Sequence, residues 1–252
     1  MRSARVDLAA VRWNLARLAA DARGEVEVDV SADAFGHGAG PIARVASEAG
    51  VPTVLVADES ERSDIEELDL PLDVRVTRTP GTGEASAAYG AGPLARSIGL
   101  RPALRVAAHV IALKTIDAGE PVSYGYTWRA PRRTTLALVP LGYADGVSRR
   151  AGNSARVLLG GALRPVVGRV AMDVHVLDLG RDLGSGLGMS LALDAGPDDG
   201  STPGAVALGD EAVLFGDQAA GSSSVDEWAG SVGMVPLEVT AAIGRRVPRS
   251  WS

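Results

Sequence analysis

Residues 25–57 carry the pattern that most constrains the fold. Glu25-Val-Glu-Val-Asp-Val30 alternates polar and apolar side chains, the period of a strand. A Gly/His loop at residues 36–40 follows. Pro41 suits the first turn of a helix, and Ile42, Val45 and Ala46 share one face over residues 41–49. Gly50 ends that helix, and Val51–Ala57 is an apolar run of the kind found in strands buried on both faces. Strand, helix and strand in this order make a βαβ unit, which calls for parallel strands and a right-handed crossover.

The flanking sequence extends this α/β reading. Asp7 is a good N-cap, and Leu8, Val11, Leu15 and Leu18 recur at helical spacing, so residues 8–22 are expected as an amphipathic helix. Acidic residues 58–67 predict a short surface helix, and Val74-Arg-Val-Thr77 a third strand. Residues 79–93, rich in Gly, Ala, Thr and Pro, read as an irregular connector. The texture changes near residue 100. Leu104–Leu113, Thr135–Leu141, Val157–Leu159, Pro165–Val170, Val174–Leu179 and Ala212–Phe215 read as short strands between glycine turns. Residues 180–209 read as a loop or loose hairpin, 225–232 and 236–243 as helices, and the end as a basic tail. The fold class expected is therefore α/β plus all-β, with an α/β region at residues 1–98 and a β-domain at 99–252. Aromatic residues are only 4% of the chain, so Val, Leu and Ala must fill both cores.

A net charge of −6 disfavours binding to a phosphate backbone, so no nucleic-acid partner is expected. Arginine clusters at 129–133, 149–150 and 245–249 read as solvated loops and termini. The absence of cysteine excludes disulfides and thiolate metal sites. No Asp/Glu/His set has metal-ligand spacing, and the glycines at 36, 38 and 40 match no phosphate loop, so no metal is expected. Asp7, Arg12 and Arg17 interrupt any leader-like apolar stretch, and no run approaches the roughly 20 apolar residues of a membrane span. A cytoplasmic protein without a membrane partner is expected.

Several segments, in order, carry a resemblance. These are Val6-Asp-Leu-Ala-Ala-Val-Arg-Trp-Asn-Leu15, Ser31-Ala-Asp-Ala-Phe-Gly-His-Gly38 and Leu100–Lys114, then Ser123-Tyr-Gly-Tyr-Thr-Trp128 and Pro140-Leu-Gly-Tyr-Ala-Asp-Gly146. Val167-Gly-Arg-Val-Ala-Met-Asp173 and Gly244–Arg249 complete the series. Together they resemble the alanine racemases, homodimeric pyridoxal phosphate (PLP) enzymes built from a TIM barrel and a β-domain. A barrel typically takes about 250 residues, so the resemblance implies a shortened TIM-barrel-like N-terminal region before an alanine-racemase-type C-terminal β-domain. It also implies a homodimer that covers the exposed strand edges.

The resemblance assigns candidate residues. Tyr124 matches the catalytic tyrosine, Tyr143 an entrance tyrosine, and Met172 and Asp173 a substrate-binding pair. Ser31 stands where the motif has its PLP-bearing lysine, and a hydroxyl forms no Schiff base. The chain's single lysine, Lys114, lies far away in sequence. Phe35 replaces a phosphate-binding tyrosine and Leu237 a second one, while His37 is retained. His109 and His175, in strand-like runs, read as structural. The expectation is an alanine-racemase-like protein that has lost PLP and PLP-dependent racemisation. The alternative is a PLP-independent enzyme acting on a small amino-acid-like ligand through Tyr124 and Asp173.

Overall fold

The structure is a computed structural model and describes residues 1–21, 25–81, 84–180 and 205–252. Strand β1 (Arg2–Val6) leads through Asp7 into helix α1 (Leu8–Asp21). The Asp7 carboxylate accepts the Ala10 N–H at 2.8 Å, as an N-cap should. The helix buries Val11, Leu15 and Leu18, the face that its spacing predicts. Strand β2 (Glu27–Asp29) pairs in parallel with β3 (Thr53–Val56), Val28 beside Val54, and helix α3 (Ala39–Glu48) connects them. Helix α4 (Glu59–Glu66) follows, capped by the Asp58 carboxylate, and β4 (Asp73–Val76) completes a parallel sheet in the order β2-β3-β4.

Two stretches depart from expectation. Between β2 and α3, the turn α2 (Ser31–Gly36) is left-handed: Ala32, Asp33, Ala34 and Phe35 all have φ between 50° and 57°. Residues 79–93 are not an irregular connector. They contain a 3₁₀ turn at Glu84–Tyr89 and the start of helix α5 (Gly92–Ser97), and Ser86, Ala87, Ala88 and Tyr89 are buried. Small residues that look like linker in sequence are packed here because close approach of backbone requires them.

The β-rich part begins with β5 (Leu104–His109) and β6 (Ala112–Ile116), a single run in sequence that Val110 and Ile111 break in two. The short pair β7 (Pro121–Val122) and β8 (Trp128–Arg129) precedes β9 (Thr134–Val139). Strands β10 (Arg156–Leu159), β11 (Ala162–Pro165), β12 (His175–Asp178) and β13 (Glu211–Phe215) follow. Pro165–Val170 is thus not one strand. Pro165 ends β11, and Val166 makes an isolated bridge to Leu177. Residues 181–204, the bulk of the expected loop at 180–209, lie outside the described residues. Helices α6 (Val225–Val232) and α7 (Pro236–Ala242) come next, and β14 (Arg249–Trp251) pairs in parallel with β1.

The chain divides into two compact units. One is Met1–Arg2 with Val106–Ser223, and the other is Ser3–Arg105 with Ser224–Ser252. In the first, antiparallel strands run in the orders β11-β10-β13-β5 and β12-β9-β6. One of its cores joins Ile116, Val122, Ala130, Leu136 and Val167. In the second, the apolar residues of β2 and β3 pack with α1 and α3 around Val28, Val54, Val56, Leu15 and Ile42, all nearly free of solvent. Its parallel sheet has three strands, and no closed barrel is present among the described residues. No described helix is long and apolar enough to cross a membrane.

Fully buried Asn14 ties α1 to the segment around α5. Its Nδ2 donates to Ala88 O (2.9 Å) and Arg101 O (2.8 Å), and its Oδ1 accepts from Arg101 N–H (2.8 Å). Asn14→Ala removes the partner of three backbone groups, of which Ala88 O is buried and the two of Arg101 are partly buried. We expect it to lower stability by about 2–4 kcal/mol in urea-induced unfolding.

Candidate functional site

The candidate residues fall into two clusters, each within one unit. The first forms at the end of β2. Four consecutive non-glycine residues in the left-handed region cost roughly 1–2 kcal/mol each, so the surroundings must hold them. The Asp29 carboxylate accepts from Ser31 N–H at 3.0 Å and Gly81 N–H at 2.6 Å. Glu61 accepts from Ala32 N–H and Ala57 N–H, both at 2.8 Å, tying the turn to the end of β3. Asp33 Oδ1 accepts Ala39 N–H at 2.9 Å, at the start of α3.

The C-terminal segment completes this clamp. Arg249 Nε donates to Gly36 O at 2.6 Å, and its other nitrogens donate to the carbonyls of Ile243, Gly244 and Val247. Trp251 Nε1 donates to His37 O at 2.8 Å. Arg249 is therefore not part of a solvated basic tail. Gly36 is required at its position: φ is 83°, and an added Cβ would lie 2.3 Å from Thr240 O.

Within this frame Ser31 is completely buried, and its hydroxyl has no hydrogen-bond partner among the described residues. His37 is buried, with its Nδ1 donating to Ala34 O at 2.9 Å. It stacks on Tyr89 at 4.5 Å between ring centroids, and Phe35 meets the same tyrosine edge-on at 5.7 Å. Phe35 and Leu237, far apart in sequence, converge on Gly81: a Cβ built there would lie 3.3 Å from the Phe35 ring and 3.7 Å from a Leu237 methyl. Tyr89 was not anticipated from the sequence. Its only signal was an aromatic residue inside a stretch of small ones.

The second cluster lies in the β-rich unit. Tyr124, Tyr143 and Met172 are 46%, 41% and 52% exposed, so all three can meet another molecule. Asp173 follows Met172 in the same loop and is also exposed. Backbone contact joins the two loops. Tyr143 N–H donates to Ala171 O and Ala144 N–H to Met172 O, both at 3.0 Å. Gly142 permits this, because a Cβ there would lie 2.2 Å from Met172 O. The Tyr124 hydroxyl donates to Val170 O at 3.2 Å and accepts from Arg149 Nη2 at 3.1 Å. The Arg149 guanidinium also lies 5.8 Å from the Tyr143 ring, and that of Arg169 lies 5.8 Å from the Tyr124 ring, within cation–π range. Arg149 is exposed, as expected of its cluster, and it also lies beside both tyrosines. Among the described residues no group of three His, Cys, Asp or Glu side chains could hold a metal.

Residues 103–251 match the family described as the alanine racemase C-terminal domain. The chain belongs to the alanine racemase family. The alanine racemase of Salinispora arenicola is 44% identical over 167 residues, 66% of this chain and 39% of that enzyme. The chain thus spans about two fifths of the length of the curated alanine racemases it matches. Solved alanine racemase structures share its fold. That of the Streptomyces lavendulae enzyme aligns with a TM-score of 0.83 at 23% identity, covering 100% of this chain and 97% of the other. That of the Bartonella henselae enzyme, with covalently bound pyridoxal phosphate, aligns with a TM-score of 0.77 at 18% identity, covering 100% and 99%.

In the remaining chemistry of this alanine racemase relative, both buried histidines are held neutral. Burial pushes His37 down to about 4, against the raising effect of the Ala34 and Phe35 carbonyls. Burial does the same to His175, again to about 4, although its Nδ1 donates to Leu141 O at 2.7 Å. A lowered pKa means the unfolded chain binds protons first, near its ordinary value of about 6.5. Stability is then full above that value and falls as pH drops toward 4, by about 1.4 kcal/mol per pH unit for each histidine. Urea unfolding at stepped pH values should show this decline, and His175→Phe should reduce its slope in the transition of the β-rich unit.

Proposed function

We propose that this chain is an alanine-racemase-like protein that does not racemise alanine through PLP. Ser31 carries the reading. It stands at the first position of the cofactor-like motif, where an amine is needed and a hydroxyl is present. The chain's lysine, Lys114, lies in β6. The surroundings of Ser31 do not fit PLP. Phe35 and Leu237, the positions that resemblance links to the phosphate, converge at Gly81 and offer only carbon to an anion.

On this reading the sheet β2-β3-β4 represents a shortened barrel within residues 1–98, and residues 99–252 correspond to the family's C-terminal part. Tyr124, Tyr143, Met172 and Asp173 are retained family positions, and the protein acts as a homodimer. Supporting this are the exposure of Tyr124, Tyr143 and Met172 and the backbone pairing of the two loops that carry Tyr143 and Met172.

Titrating the purified protein with PLP should give no saturable change in visible absorbance. Incubation with L-alanine and PLP should leave its optical rotation unchanged. Ser31→Lys should remain inactive, because the phosphate contacts are also missing. Robust alanine racemisation by either protein would overturn the proposal.

A second reading is favoured by the bond between Arg149 and the Tyr124 hydroxyl, which keeps a cation beside an exposed phenol. Tyr124 and Asp173 would then serve as acid and base on an amino-acid-like substrate without PLP. If a screen finds a turnover, Tyr124→Phe should abolish it, and an unaffected rate would dismiss this reading.

A further inference from the structure

We propose that the end of β2 is a closed seat, plugged by Tyr89, which no ligand with the size of a pyridine ring can enter without displacing that side chain. The inference rests on the reading that Ser31 marks the family's cofactor position. It adds that the position has lost its space as well as its amine.

Burial is the first observation. Ser31 has no exposed surface, and its hydroxyl, without a hydrogen-bond partner among the described residues, lies beyond the reach of water. A hydroxyl facing a ligand-sized cavity would have accessible surface toward it, and Ser31 has none. Val30, Ala34, Phe35 and His37, its neighbours along the motif, are each 6% exposed or less.

Tyr89 is the second. Its ring stacks on His37 and takes the edge of Phe35, and its hydroxyl donates to Asp29 O, so two residues of the motif and the last residue of β2 contact one aromatic side chain. The phenol ring is about as large as a pyridine ring. Tyr89 itself is 1% exposed.

The third observation is that the plug is anchored on both sides. Tyr89 O accepts from Ala103 N–H at 3.1 Å, and the preceding carbonyl, Ala88 O, accepts from buried Asn14. Nearby, Gly81 N–H is held by the Asp29 carboxylate. Removing Tyr89 from the seat would break its bond to Asp29 and strip two aromatic contacts. These are the features of a packed core, and a mobile lid would lack them.

The chain has no cysteine, so Ser31→Cys places a single, nearly isosteric thiol at the seat. Its reaction with dithiobis(nitrobenzoate) should be slower in the folded protein than in denaturant by about a hundredfold or more, the protection expected of a group exposed only by local opening. Adding Tyr89→Ala should bring the rate to within about tenfold of the denatured value. A folded Ser31→Cys protein that reacts at the denatured rate would overturn the proposal, and so would a double variant that stays protected.

An independent measurement covers the case in which the thiol variant folds poorly. Tyr89→Ala should leave a ring-sized apolar cavity, so phenol should raise its melting temperature and leave that of the wild type unchanged. An equal response of the two would also overturn the plug. Neither assay depends on PLP. Saturable PLP binding by the wild type with a protected thiol would sink the proposed function alone, and a reactive thiol without PLP binding would sink the plug alone.

Discussion

The α/β unit depends on the restraint of a left-handed turn. Ala32 to Phe35 adopt a conformation that L-residues avoid, and none of them is a glycine. The turn persists because groups both near and distant in sequence fix its polar atoms. Asp29 and Glu61 hold its N–H groups, Asp33 holds the start of α3, and Arg249 and Trp251 hold the carbonyls of Gly36 and His37. Strain of this kind survives only where the environment over-determines it, and it is found most often at functional sites. Here Ser31 and His37 are buried at either end of the turn, and Arg249 and Trp251 close on it after the end of β2.

The two clusters of family-like residues have opposite physical character. At the end of β2, the side chains are buried, aromatic or aliphatic, and closed around a hydroxyl. In the β-rich unit, Tyr124, Tyr143 and Met172 are exposed and accompanied by Arg149 and Arg169. Tyrosine and arginine at an exposed site are well suited to recognition, because both offer a broad apolar surface with a polar end. On the proposed reading, a chain of this family that keeps such a face beside a filled cofactor-like position would retain recognition chemistry without imine chemistry.

Much of the architecture was legible in local pattern. Alternation at 25–30, the apolar face of α3 and the run at 51–57 are short-range signals, and they produced the parallel pairing of β2 with β3. The caps at Asp7 and Asp58 act within a few residues and obey local rules. The loops that carry Tyr143 and Met172, by contrast, are joined by backbone hydrogen bonds that no local pattern announces. Hidden from the sequence were the features that need a partner from elsewhere. Nothing in Ala-Asp-Ala-Phe announces a left-handed turn, because its stabilisers sit at Glu61, Arg249 and Trp251. Residues 79–93 looked like linker, since Gly and Ala signal either freedom or close packing, and only the contact with β2 and α1 decides which.

The sequence alone determined most of the element types, the family and the absence of an amine at position 31, because periodicity and side-chain identity are properties of the chain itself. Tertiary structure decided the rest. It made the end of β2 a sealed core instead of a pocket, gave Tyr89 its place against His37 and Phe35, and turned the surface arginine Arg149 into a link between two tyrosines. Those outcomes depend on which distant surfaces exclude water from one another, and no local segment encodes that exclusion.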